Sequence, residues 1–130
     1  MVWTQWSLDR VIILLVGVAY LLLWMQVTLS HYRQNFHKKI MWSPVIISLL
    51  ISLVSLLCTL INRHGWYTAS QLIFWLGVLQ GLIGFGFHLN GVRKRVGGLA
   101  LRNFLTGPPV LMPLLFSFLS ILGLTAIYGG

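Results

Sequence analysis

Hydrophobic positions in this chain come in long unbroken runs, and the polar positions are gathered between them. Residues 11–29, 40–61, 68–89 and 109–128 contain no Asp, Glu, Lys or Arg. A bilayer's hydrocarbon core is about 30 Å thick and an α-helix rises about 1.5 Å per residue, so roughly 20 apolar residues cross it. Every run meets that length. The pattern predicts an all-α integral membrane protein: four transmembrane helices over those ranges in an up-and-down bundle, one domain across residues 1–130. A closed barrel is excluded, because its strands alternate apolar and polar over about ten residues.

The breaks between runs carry turn chemistry. Pro44 falls in the first turn of the second span, where a missing N–H costs little. Residues 62–67 read as a tight helical hairpin with Gly65 as the helix stop. The long connection, residues 90–108, opens at Gly91, passes Gly97-Gly98 and ends in Gly107-Pro108-Pro109. Within it, residues 99–105 are mostly apolar but too short to span, which suits a short helix lying in the membrane interface with Arg102 reaching lipid phosphate. The first run has a nearly neutral flank and no small-x-small site after it, so it reads as a retained helix and not a signal peptide.

Read by helix face, the second and third runs carry matching spacings. Ser48, Ser52, Ser55 and Thr59 recur at steps of four, three and four, and so do Gly77, Gly81, Gly84 and His88. Residues three and four apart share a face. In lipid, small residues let backbones approach and hydroxyls bond across the contact. Folding the two runs back on each other sets Ser52 near Gly77, Ser48 near Gly81 and Met41 near His88. The expected result is a close-packed Ser/Gly hairpin. The Gly face could instead receive a flat ligand or dock another subunit.

Charge fixes an expected orientation. Nine Lys and Arg stand against one acidic residue, Asp9, for a net charge of +8. Arg33, Lys38 and Lys39 lie in the first connection, and Arg93, Lys94, Arg95 and Arg102 in the third. Only Arg10 and Arg63 fall on the other side. Under the positive-inside rule both termini are outside and the basic loops cytoplasmic, as in a bacterial inner membrane. Trp3, Trp6, Trp66, Tyr67 and Tyr128 would anchor the outer interface, Tyr32 and Trp42 the inner one. The basic residues read as topology and as contacts with anionic lipid head groups at Arg93, Lys94, Arg95 and Arg102, at about 1 kcal/mol each, and not as a nucleic-acid surface.

Candidate chemistry is sparse. Intramembrane coupling sites use carboxylates, and none is present in the four runs. A Ser–His nucleophile needs an orienting acid, and Asp9 lies on the wrong side for His88; no enzyme is expected and no soluble small-molecule substrate is indicated. His31, His37 and His88 fall on the basic side. His88 with His31 or His37 could hold a b-haem or chlorin, which needs two imidazoles facing across a ring. No metal-ligand spacing is present, and the lone Cys58 is a packing residue. The expected function is a structural, accessory subunit of a larger membrane complex of the energy-converting kind, respiratory or photosynthetic, in contact with other membrane subunits and anionic lipid and without a cofactor of its own. The alternatives are a haem- or pigment-binding electron-transfer subunit, and a small homo-oligomeric channel or carrier lined by the Ser or Gly row.

Overall fold

The computed structural model describes residues 2–95, 98, 102 and 109–129. Four α-helices account for most of them: α1 (Leu8–Arg33), α2 (Trp42–Leu60), α3 (His64–Arg95) and α4 (Leu111–Gly129), with a 3-10 turn, Lys39–Met41, leading into α2. All four are long and apolar enough to cross a membrane. No strand occurs among the described residues. Each helix packs on its chain neighbour and α4 closes on α1, so the four form a ring in sequence order.

Two predicted boundaries move. Gly65 does not stop a helix; it lies in the first turn of α3. The stop is Ile61, which turns extended (φ −105°, ψ 105°) after donating its N–H to Leu57 O. Nor does Gly91 break α3, which runs on to Arg95. A mid-helix glycine costs about 1 kcal/mol, but continuing the helix buries Val92 completely, which offsets that cost. The expected interfacial segment, residues 99–105, lies outside the described residues except for Arg102.

The end of α2 explains where the N-terminal segment goes. The last carbonyls of a helix have no partner within it. Cys58 O accepts the indole N–H of Trp3 at 2.9 Å, and Thr59 O accepts Nε and Nη2 of Arg10 at 3.0 and 2.6 Å. Asn62 then holds the segment in place: its Oδ1 accepts the backbone N–H groups of Val2 and Trp3 at 2.6 and 2.7 Å, and its Nδ2 donates to Trp3 O. Trp3 is therefore a core residue at 5% exposure and not the interfacial anchor its position suggested. Trp6 is half-exposed beneath the Arg10 guanidinium at 3.7 Å.

The core is built from small and hydroxyl-bearing residues. Ser48, Ser52, Ser55, Thr59, Ser70, Ser117 and Ser120 are all buried. Four of them satisfy themselves on their own helix, as Ser55 does at 2.6 Å to Ile51 O and Ser70 at 3.0 Å to Trp66 O. Others cross between helices: Ser52 donates to Gly17 O on α1 at 2.8 Å, and Ser117 donates to Val78 O on α3 at 2.8 Å. Among the described residues no buried side-chain polar atom lacks a partner. Such burial is favourable in lipid only when every polar group is matched.

The Ser and Gly rows do not close on each other as their matching spacing suggested. The Ser row turns to α1, through Ser52 on Gly17 and the packing of Gly17 against Ser55 and Leu56. The Gly row turns mainly to α4: Gly77 faces Ser120 and, from α2, Ile51 Cδ1, Gly81 faces Ser117 and the backbone of Pro113, and Gly84 faces the Pro113 ring. Equal spacing on two helices shows that each has a smooth face. It does not say which neighbour fills it, and α4 brings small residues of its own at 117, 120 and 123.

Candidate functional site: a histidine-lined cleft at the basic end

The C-terminal ends of α1 and α3 and the N-terminal ends of α2 and α4 meet at one end of the bundle. Between them lies an open-mouthed cleft of about 140 Å³, bounded by the α1–α2 connection and the last turns of α3. A second, narrower space of about 60 Å³ adjoins it and leads between α1, α3 and α4 toward Val27, Met112 and Phe116. His31, Pro44, Gln80, Gly84 and His88 border both.

The walls are positioned by local backbone chemistry. Beyond α1 the chain reverses through Asn35 and Phe36, both left-handed at φ 59° and 45°. The reversal lets the N–H groups of Gln34 and Phe36 return to His31 O at 3.1 and 3.0 Å, capping the helix. A left-handed phenylalanine is unusual. Its ring is held by stacking on Trp42 at 3.9 Å between centroids, 10° from parallel. That stack folds the connection over the end of α2 and turns His37 and Lys38 into the cleft wall. On the far side, Ser43 of α2 donates to Gln80 Oε1 of α3 at 2.5 Å.

The three histidines picked out in the sequence all line this cleft. Each uses Nδ1 toward a backbone carbonyl: His31 to Met41 O at 2.8 Å, His37 to Gln34 O at 3.1 Å, and His88 to Pro109 O at 2.7 Å. A carbonyl can only accept, so Nδ1 carries the proton in all three rings. The neutral ring then presents Nε2 as an acceptor or ligand atom, and the protonated ring presents it as a donor. His31 is buried at 8% exposure. Among the described residues no group of three or more His, Cys, Asp or Glu is arranged to hold a metal ion.

The remaining expected sites divide. Lys94 lines the cleft. Arg93 is exposed and donates to Asn90 Oδ1 at 3.1 Å, and Arg102 is exposed. The side chain of Arg95 lies outside the described residues. Ser48, Ser52, Ser55, Thr59, Gly77 and Gly81 are buried in helix contacts, and Gly84 packs on Pro113 while also bordering the cleft. Gln34, Lys38 and Gln80 also face the cleft and were not singled out by spacing. Gln80 could have been: it sits between Gly77 and Gly84 on the same side of the helix, one of only two amides in its apolar run. Asp9, the one carboxylate, is at the other end of the bundle, bonded by Ser7 Oγ.

Compared with models of protein families, with curated proteins and with solved structures, the chain matches none.

Proposed function

We propose that this chain is a multi-pass membrane protein that works through helix contacts, as an accessory subunit of a larger energy-converting membrane complex. The observation that carries this reading is a stripe on α3. Leu72, Trp75, Leu79, Leu82 and Gly86 follow steps of three and four and are all exposed. Steps of three and four are the spacing at which one helix receives another. Gly86 ends the stripe with nothing within 4 Å of where its Cβ would be. A helical glycine that packs against nothing among the described residues costs about 1 kcal/mol. A neighbouring helix lying close over it supplies the reason for its presence.

Co-purification from native membrane tests this reading. A defined partner is expected by mass spectrometry, lost in Gly86→Leu while the helical content stays. A monomer that purifies alone from gently solubilised membrane would sink it. The basic end faces the cytoplasm and both termini lie outside. In a Cys58→Ala background, Arg63→Cys should react with an impermeant maleimide on intact cells, and Lys39→Cys should react only after lysis.

A second reading, a b-haem or chlorin carrier, is favoured by the meeting of His31, His37 and His88 at one cleft. A Soret or chlorin band in natively purified protein, bleached by His88→Ala, is its signature, and a colourless native protein excludes it.

A further inference from the structure

We infer that the cleft at the basic end is a specific site for an anionic phospholipid, its phosphate between Lys38 and Lys94 and an acyl chain running toward Phe116. The inference rests on the membrane-spanning reading of the helices and not on the accessory role.

The polar part of the lining is rich in donors and free of acid. Lys38 and Lys94 bring ammonium groups, and Gln34 and Asn90 bring amides. No carboxylate borders either space, and the only one in the protein is at the opposite end. Such a lining is complementary to an oxyanion, and phosphate accepts from ammonium, amide and imidazole N–H alike.

The rest of the lining is apolar and continuous with the charged part. Ile83 and Phe87 flank the mouth, and the adjoining space passes Val27, Met112 and Phe116. A free inorganic anion would leave that half unused. An amphiphile with a phosphate at one end and a hydrocarbon chain at the other fills both. Basic pockets between helices at the cytoplasmic face of a membrane suit such head groups. A porphyrin also combines charge with an apolar face, and its propionates would use the same donors, so an absorption spectrum is part of the test.

The test uses the full chain, purified in mild detergent and exchanged into bilayers of phosphatidylcholine doped with phosphatidylglycerol of the same acyl chains. Native mass spectrometry reads which lipid stays bound. Selective retention of phosphatidylglycerol is expected. With two lysines removed at about 1 kcal/mol each, Lys38→Ala/Lys94→Ala should weaken retention roughly thirtyfold. Arg33→Ala, a basic residue at the same end but not bordering the cleft, should leave it unchanged, with circular dichroism confirming that each variant folds. Equal retention of the two lipids by the unmutated protein overturns the site. So does an equal loss in Arg33→Ala. Displacement by inorganic phosphate as effective as by the lipid overturns the acyl half, and a Soret band lost in His88→Ala assigns the cleft to a porphyrin instead. Carbonate washing separates a failure of the spanning reading, in which the chain leaves the membrane, from a failure at the cleft.

Discussion

Ser120 Oγ of α4 occupies the place where a Cβ on Gly77 of α3 would stand, with Ile51 Cδ1 closing the same space at 2.9 Å. The two helices therefore meet at backbone distance along this line. One residue type on α3 permits it, and one small hydroxyl on α4 uses it.

Substitution at that contact should be costly and sharply local. Gly81 is tighter still, because the obstructing atoms include Pro113 O and Ser117 N of the α4 backbone at 2.6 Å. Overpacking of this kind costs about 1–3 kcal/mol. Gly77→Ala and Gly81→Ala should each lower the thermal midpoint in detergent, Gly81→Ala more. Gly86→Ala, where a Cβ meets nothing, should raise stability by up to about 1 kcal/mol. Equal effects at the three positions would contradict the packing described.

Tyr20 supplies a second link to the same serine. Its phenol donates to Phe116 O and lies 2.5 Å from Ser120 Oγ, so the serine must provide the proton of that second bond. Tyr20→Phe removes both links and should cost roughly 0.6–2 kcal/mol, the range for interhelical hydrogen bonds in membranes. A double-mutant cycle with Ser120→Ala should show clear coupling, and strict additivity would mean the two groups do not interact.

Asn62 governs the N-terminal segment. Asn62→Ala removes the acceptor for two backbone N–H groups and the donor to Trp3 O, at a cost of about 1–3 kcal/mol. The amides of Val2 and Trp3 should then exchange rapidly while those of mid-α2 stay protected. Asn62→Asp keeps the acceptor and loses the donor, so its effect should be smaller. Unchanged protection of both amides in Asn62→Ala would contradict the clamp.

Cys58 is buried, and its carbonyl accepts the Trp3 indole. The folded protein should resist maleimide, with labelling appearing only through the unfolding transition. Trp3→Phe, which removes the indole donor, should bring labelling forward to milder denaturant. Rapid labelling of the native protein would place the thiol outside the bundle.

The features legible in the sequence are those that depend on a residue's own solvent preference and on local geometry. Four charge-free runs of about 20 residues have no stable alternative to helices in an apolar medium, since each backbone polar group must be satisfied within its segment. Among the described residues the four long helices and their ranges follow to within about six residues. The grouping of His31, His37, Lys38, His88 and Lys94 at one end follows as well, because short connections force antiparallel order. Periodicity likewise marked the Ser and Gly faces as smooth. Which neighbour fills each face was decided by tertiary structure alone: Ser52 meets Gly17 of α1, and Gly77 and Gly81 meet Ser120 and Ser117 of α4. A smooth face is compatible with any partner that brings small side chains, and the choice depends on how four helices share space at once. The same holds for Trp3, drawn from an expected interface into the core by the unpaired carbonyls ending α2, and for the cleft, whose walls come from every helix and are contiguous only when all four are packed.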